Sequence, residues 1–203
     1  MLLIGVTGGI ACGKTEVAKV FQKKGATILS GDEIGKEIVE KNRRVSNKLV
    51  RSFGAKILNK NGTLNRRKLG EIAFASKDAK DRLNKIIHPY LLKGLRKKIE
   101  NLKKKDPQAV VVVDAALIVE WGFEKELNYL IFVESKRENK IKRLQREKGY
   151  SKREALDRIK SQLPEITKKR LADFVIRNNR GLAELREKAN QLWEEIAPRN
   201  YVE

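Results

Sequence analysis

The 203-residue sequence has few of the residues that build cross-linked, metal-bound or membrane-spanning proteins. It contains one cysteine, Cys12, so no disulfide can form within the chain. His88 is the only histidine, and no group of residues has the spacing of a metal cluster. The longest apolar stretch, residues 109–119, is interrupted by Asp114 and is too short to cross a bilayer. With no signal-peptide pattern at the N-terminus, these features predict a reduced, cytoplasmic protein that does not enter a membrane.

Negative charge is also scarce relative to positive charge. Lysine and arginine number 46 against 26 aspartates and glutamates, which gives a net charge of +20 at pH 7. A field of this sign attracts polyanions such as nucleotides or nucleic acid. A heavily charged solubilising surface, as in heat-adapted proteins, has the same composition. No basic motif is interleaved with aromatic residues, so we expect nucleic acid to be an unlikely partner.

Five short apolar runs predict a parallel β-sheet. They occupy residues 2–6, 26–29, 110–113, 129–133 and 174–176. Helical patterns separate them, including residues 15–24 and 182–196. Strands that alternate with helices are typical of an α/β fold whose parallel sheet is covered on both faces.

Two long basic segments interrupt this alternation. We predict a single domain over residues 1–203, with a core of residues 1–32, 109–134 and 170–203. Residues 33–108 are mostly helical and are predicted to form a substrate-binding insert. Residues 135–169 are also helical and are predicted to form a lid.

A glycine-rich octapeptide follows the first predicted strand. Residues 8–15 read Gly-Gly-Ile-Ala-Cys-Gly-Lys-Thr and match the phosphate-binding pattern G-x-x-x-x-G-K-[ST]. A helix begins at the end of the motif, so free backbone N–H groups and the positive end of the helix dipole converge there. The pattern assigns Lys14 to the β- and γ-phosphates of a nucleoside triphosphate and Thr15 to Mg²⁺. The alternative is a glycine-rich turn that binds no ligand, but such a turn requires neither the lysine nor the threonine.

Acidic residues follow two other predicted strands. Asp32 comes after the second strand, and Asp114 ends the third. Ligands of open α/β sheets bind beyond the carboxyl ends of the strands, so both carboxylates are expected near Lys14. Asp114 is the candidate Mg²⁺ partner, with a helix cap or a turn as the alternative. Asp32 is the candidate general base, with a helix N-cap as the alternative.

Arg143 and Arg146 lie three residues apart on a predicted helix of the lid. They are therefore expected to share one face, where arginines can stabilise the charge of a transferring phosphoryl group. A solvated helix face is the alternative for each. His88 precedes Pro89 and is interpreted as a helix-end or packing residue.

Taken in order, these motifs resemble the dephospho-CoA kinase family over nearly the whole chain. The order and spacing of the matching strings carry the resemblance, more than any one string beyond the phosphate-binding loop. The strings are residues 7–10, 13–15, 32–34, 53–54, 62–66, 69, 83–84, 88–89, 117, 120, 143–144, 146, 158, 162, 164, 172–173, 175–176 and 178.

The resemblance implies a P-loop kinase fold with a five-stranded parallel sheet. It implies transfer of the γ-phosphoryl group of ATP, with Mg²⁺, to the ribose 3′-hydroxyl of dephospho-CoA, the last step of coenzyme A biosynthesis. Asp32 would be the base near that hydroxyl, and Arg66 and His88 would contribute to binding of the CoA moiety. Arg143 would belong to the lid, and Asn178 would lie near adenine.

The predicted site residues fall into four groups. The catalytic residues are Asp32, Lys14 and Arg143, and the metal ligands are Thr15 and Asp114. The substrate-binding residues are Asp32, Arg66 and His88. The ATP-binding residues are Gly8, Gly9, Ala11, Cys12, Gly13, Lys14, Thr15, Glu16, Arg143 and Asn178.

Several residues depart from the common pattern of the family, among them Ala116, where a proline is usual after the third strand. Ala11 and Cys12 replace Gly-Ser, Glu16 replaces a frequent Thr, and Lys140 replaces a common Gln. Glu16 adds negative charge near the expected phosphates, and Lys140 adds positive charge to the lid. Alkylation of Cys12 is expected to block nucleotide binding, because the added bulk would enter the phosphate cradle.

Two other functions remain open for the sequence. One is phosphorylation of another small molecule or a nucleotide by a kinase with the same loop. The other is nucleic-acid binding coupled to NTP hydrolysis. We expect a monomer or a weak homo-oligomer.

Overall fold

The computed structural model describes residues 1–73 and 75–198, and its central feature is a β-sheet of five parallel strands. The strands are β1 Leu2–Gly8, β2 Thr27–Ser30, β3 Val110–Asp114, β4 Tyr129–Glu134 and β5 Phe174–Arg177. They pair in the order β2-β3-β1-β4-β5, and every pairing is parallel. The predicted five-stranded parallel sheet is confirmed, with each strand end within two residues of its predicted position.

The interior strands are buried on both faces. All four valines of β3, residues 110–113, are at most 1% exposed. A strand of a parallel sheet covered by helices has no solvent side, which explains why β3 is a continuous apolar run and not an alternating one.

Helices connect the strands and cover the sheet. They are α1 Lys14–Lys23, α2 Gly31–Lys41, α3 Arg43–Phe53, α4 Arg66–Ala73, α5 Lys77–Lys105, α6 Arg137–Lys148, α7 Lys152–Lys160, α8 Glu165–Arg170 and α9 Leu182–Ile196. Two short 3₁₀ helices occupy Ala55–Ile57 and Phe123–Glu126.

Local capping divides the basic segment 135–169 into three helices. Gly149 ends α6 in the left-handed conformation, with φ of +66°, which glycine adopts without a steric penalty. Ser151 begins α7 through a capping box with Glu154, in which each side chain accepts from the other residue's backbone N–H. The segment therefore turns back on itself instead of forming one long helix.

The chain divides into two compact units. The first contains residues 1–30 and the chain from Ile99 onward, and the second contains residues 31–98. The predicted insert, residues 33–108, overlaps the second unit, although α5 continues past residue 98 without a break. Residues 199–203 of the predicted core lie outside the described residues.

In the first unit, one face of the sheet packs against α1 and α9. Phe21 and Trp193 are fully buried there, with ring centroids 5.1 Å apart, in one cluster with Ile4 and Val112. Burying each large apolar side chain stabilises the fold by about 1.5–3 kcal/mol. This packing holds the start of α1 at the end of β1, where the glycine-rich loop lies.

A separate apolar cluster forms the core of the second unit. Val45, Leu49 and Phe53 recur every four residues along α3 and face Ile57 and Leu69. This spacing places them on one side of a helix. The second unit therefore has its own hydrophobic core.

Candidate functional site

The glycine-rich loop joins the end of β1 to the first turn of α1. Gly8 has φ of +151° and Gly13 has φ of +105°, a backbone that L side chains rarely adopt. A Cβ on Gly8 would collide with the carbonyl oxygen of Val133, and one on Gly13 would lie 2.6 Å from Nδ2 of Asn178. The loop therefore requires glycine at both positions. It presents the unpaired N–H groups of a helix N-terminus, which suit an anion.

Ala11 shows that this loop is strained. It is a non-glycine residue at φ of +58°, in the left-handed region. L residues are disfavoured there because Cβ crowds the following carbonyl oxygen. The replacement of glycine by Ala11 is thus tolerated at a conformational cost.

Lys14 folds back over the loop. Its ammonium group, Nζ, donates to the carbonyl oxygen of Gly9 at 3.1 Å. The charge therefore lies beside the backbone of the loop, which is where the sequence pattern requires a phosphate-binding lysine.

Thr15 and Asp114 meet at the carboxyl edge of the sheet. The Thr15 hydroxyl donates to Oδ2 of Asp114 at 2.8 Å. Asp114 ends β3, in register with Val6 of β1 and Ser30 of β2. The sheet therefore fixes the carboxylate beside the loop.

This pair fits a hard divalent cation. The hydroxyl hydrogen of Thr15 points to Asp114, so the lone pairs of Oγ1 remain available to a metal ion. Within residues 1–73 and 75–198, no group of three or more histidine, cysteine or acidic side chains could enclose a metal. Few protein ligands, completed by water and phosphate oxygens, are typical of Mg²⁺ in nucleotide sites.

Arg143 of α6 contacts the loop directly. Its guanidinium donates to the carbonyl oxygens of Ala11 at 3.0 Å and Cys12 at 3.4 Å. Arg146, in contrast, is 78% exposed and pairs with Glu147. Arg143 therefore lies at the loop, and Arg146 fits the alternative of a solvated helix face.

Asn178 supports the loop from below. It is 1% exposed, and its Nδ2 donates to the carbonyl oxygen of Cys12 at 2.8 Å. The backbone carbonyl oxygen of Asn178 accepts from the guanidinium of Arg143 at 3.3 Å. The side chain thus holds the loop in place, whereas the resemblance implied a place near adenine.

The side chain of Cys12 belongs to the core. Cys12 is fully buried and packs in the cluster that contains Val17 and Leu185. The thiol is shielded from alkylating reagents in this structure, and the expected block of nucleotide binding once Cys12 is alkylated stays a prediction.

The negative charge of Glu16 is neutralised by its neighbours. Its two carboxylate oxygens pair with Lys19 and Arg186, each at 2.8 Å. These hydrogen bonds, first that of Lys19 and then that of Arg186, lower the pKa of Glu16 below its ordinary value. Its carboxylate is therefore ionised and paired beside the loop.

Three predicted acceptor-side residues lie in the second unit. Asp32 is exposed as the second residue of α2, which begins at Gly31, so the N-cap alternative does not apply. Arg66 begins α4, and its Nη1 lies 3.5 Å from Oε1 of Glu40.

His88 lies inside α5, so the helix-end interpretation is wrong, and its half-buried position fits the alternative of a packing residue. The helix continues through Pro89. One groove of about 440 Å³ in the second unit is lined by Asp81, Asn84, Lys85, His88 and Pro89.

Known proteins are similar to this chain in sequence and in fold. The sequence profile of the dephospho-CoA kinase family matches residues 2–184. The chain belongs to the dephospho-CoA kinase family. A dephospho-CoA kinase of Bacillus licheniformis is 38% identical over 191 residues, or 94% of each chain. One from Fusobacterium nucleatum is 36% identical over 196 residues, covering 97% of this chain and 99% of the relative.

A solved dephospho-CoA kinase from Campylobacter jejuni superposes on this chain. The TM-score is 0.71 at 28% identity, with 98% of each chain covered. The predicted P-loop kinase fold is confirmed. Across the described ranges, no helix combines the length and hydrophobicity needed to span a bilayer.

Sequence reasoning missed the contacts made by two residues of the predicted lid, residues 135–169. Gln162 accepts a hydrogen bond from the N–H of Ile10, in the loop, at 2.9 Å. Lys168 is fully buried and donates to Glu120 at 2.7 Å and to the carbonyl oxygen of Ala116 at 2.6 Å. Burial lowers the pKa of Lys168, and the hydrogen bond to Glu120 opposes that shift. The resemblance matched Gln162 without a role, and no sequence pattern indicated that Lys168 is buried.

Proposed function

We propose that this protein transfers the γ-phosphoryl group of ATP to the ribose 3′-hydroxyl of dephospho-CoA, which gives coenzyme A and ADP. The observation that carries this proposal is the Thr15–Asp114 hydrogen bond beside the Lys14 loop, in a chain of the dephospho-CoA kinase family. The family match favours this function over another P-loop kinase and over a nucleic-acid-binding NTPase.

The loop and its neighbours form the donor side. The backbone of residues 8–13 receives the phosphates, and Lys14 leaves the Gly9 carbonyl to neutralise the β- and γ-phosphates. Arg143 already lies against the loop and offsets the charge that develops during transfer. Thr15 and Asp114 hold Mg²⁺, which supplies further charge neutralisation when it is bound.

The second unit provides the acceptor side. Asp32 accepts the proton of the 3′-hydroxyl as that oxygen bonds to the γ-phosphorus and the bond to the ADP oxygen breaks. Its exposure suits a carboxylate that meets a ligand. Arg66 and His88 bind the CoA moiety within residues 33–108, and residues 135–169 act as the lid over the donor. The single reduced cysteine agrees with a cytoplasmic location.

The test is ADP release measured by a coupled assay with dephospho-CoA and a panel of nucleosides and nucleotides. We expect turnover with dephospho-CoA and little with the panel. Equal turnover on a nucleoside monophosphate contradicts the proposed acceptor.

Asp32→Asn tests the base. We expect kcat to fall about 10²–10⁴-fold, because the proton acceptor is lost. Calorimetry should give an unchanged dissociation constant for ATP, since Asp32 does not bind the donor. Glu33→Gln, the same charge change at the next exposed residue of α2, is the control and should keep kcat near the original value. A normal kcat in Asp32→Asn would remove the residue from this role.

A further inference from the structure

Lys140 is a buried cation beside the phosphate-binding loop. It lies on α6, three residues before Arg143, so the two side chains share a face of the helix. Lys140 is 3% exposed, and its Nζ lies 2.6 Å from Oε1 of Glu165 on α8. A lysine is almost never fully buried unless it is paired with a negative group, and here Glu165 supplies that group.

The Lys140–Glu165 pair lies directly on the loop. A Cβ added to Gly9 would collide with Oε1 of Glu165 and would lie 3.4 Å from Nζ of Lys140. Lys14 reaches the carbonyl oxygen of the same glycine. Two ammonium groups and one carboxylate therefore converge on Gly9.

A second oxygen from the same segment also contacts the loop. Oε1 of Gln162 accepts from the N–H of Ile10, the residue after Gly9. N–H groups of such a loop are the donors that phosphate oxygens use. Glu165 at the start of α8 and Gln162 just before the helix thus offer a carboxylate and a carboxamide oxygen where phosphate oxygens are expected.

We propose that Lys140 binds the terminal phosphates of the nucleotide, and that Glu165 is the internal anion that these phosphates displace. The proposal rests on the ATP binding proposed above. Burial differs between the partners, since the side chain of Lys140 is 4% exposed and that of Glu165 is 33% exposed. The carboxylate can therefore swing into water while the ammonium group stays at the loop.

Displacement of Glu165 by phosphate has a measurable consequence for affinity. When a protein group competes with a ligand, the apparent dissociation constant equals the intrinsic one divided by the fraction of molecules that are competent to bind. Removing the negative charge of Glu165 should lift this competition. Removing the positive charge of Lys140 should instead weaken phosphate binding, because a cation in a poorly solvated site is lost.

The experiment is calorimetric titration of ATP and of inorganic tripolyphosphate, without dephospho-CoA, into the full chain and its variants. Glu165→Gln should tighten both dissociation constants about tenfold, which lies within the usual range of such couplings. Lys140→Gln should weaken both by a similar factor. Tripolyphosphate contains no adenine, so a change in its dissociation constant reports a contact with phosphate alone.

The double variant K140Q/E165Q controls for misfolding. It removes both charges of the buried pair together, so no unpaired charge is left. It should bind ATP more weakly than Glu165→Gln alone. Glu147→Gln and Lys148→Gln, which make the same charge changes at exposed positions of α6, are the matched controls and should leave both constants unchanged.

Two results would overturn the proposal. One is an unchanged ATP constant in Glu165→Gln. The other is equal affinity of the double variant and Glu165→Gln, which would leave Lys140 without a phosphate contact. If the wild-type protein binds ATP and phosphorylates dephospho-CoA, either result rejects only this inference. If the wild-type protein binds no ATP, the proposed function fails with it.

Discussion

Among single residues, those of the phosphate-binding loop are held by specific contacts. The carbonyl oxygen of Cys12 accepts from both Arg143 and Asn178, and Lys14 bonds to Gly9. Ala11 is the residue in this loop whose side chain conflicts with its backbone, at φ of +58°. Replacing it tests how much strain the loop stores.

Ala11→Gly should stabilise the protein by about 1 kcal/mol, because glycine adopts a positive φ without the steric cost that alanine pays. The measurement is the free energy of unfolding in urea. Ala18→Gly, the same substitution inside α1, is the control and should destabilise by about 2 kcal/mol, because it lowers helix propensity and removes a buried methyl group. An Ala11→Gly variant that is no more stable than wild type would show that the loop absorbs this strain elsewhere.

Among the elements, α8 has only six residues, yet it carries two of the most constrained side chains of the predicted lid, residues 135–169. Glu165 contacts the loop, and Lys168 is fully buried between Glu120 and the Ala116 carbonyl oxygen. A helix this short has little stability of its own. Its position therefore depends on these contacts.

Lys168→Met should destabilise the fold by about 3–5 kcal/mol, because it leaves the carboxylate of Glu120 without its cation in a poorly solvated site. Thermal unfolding measures the loss. Arg170→Met, at an exposed position of the same helix, should have little effect. The double variant K168M/E120L should recover much of the stability, and no recovery would show that the ion pair is not the cause.

The elements also show what the sequence could predict. The strands were predictable because they are short, continuous apolar runs, and the helices α1 and α9 because their apolar residues recur with the helical period. Contacts such as Ile10–Gln162 and Lys168–Glu120 join residues far apart in the chain, so they leave no periodic signal. Of the two interpretations of His88, a helix end or a packing residue, only the helix end is wrong, because α5 continues through Pro89.

The whole molecule has few acidic groups in a strongly positive field. Glu16 and Glu134 each pair with two cations, Glu134 with Lys169 and Arg177. The hydrogen bond from Lys169, with a smaller contribution from Arg177, lowers the pKa of Glu134 although partial burial opposes the shift. Each such carboxylate binds its proton less readily in the folded state than in the unfolded one.

Stability should therefore fall in acid. The contribution of these glutamates is fully present above their unfolded pKa of about 4.3, and it is lost as pH falls through the lower folded values. Urea unfolding between pH 3 and pH 7 measures this dependence. Glu134→Gln should flatten the acid limb of the curve relative to wild type. An identical slope in both proteins would contradict the role of this carboxylate.

The burial of Cys12 has a practical consequence. A thiol reacts with alkylating reagents only when solvent can reach it, and Cys12 is fully buried. The wild-type chain is thus a ready background for site-directed spectroscopic labelling. A cysteine introduced at exposed Lys148 would take a fluorophore or spin label selectively, and its signal could follow the α6 region during nucleotide titration.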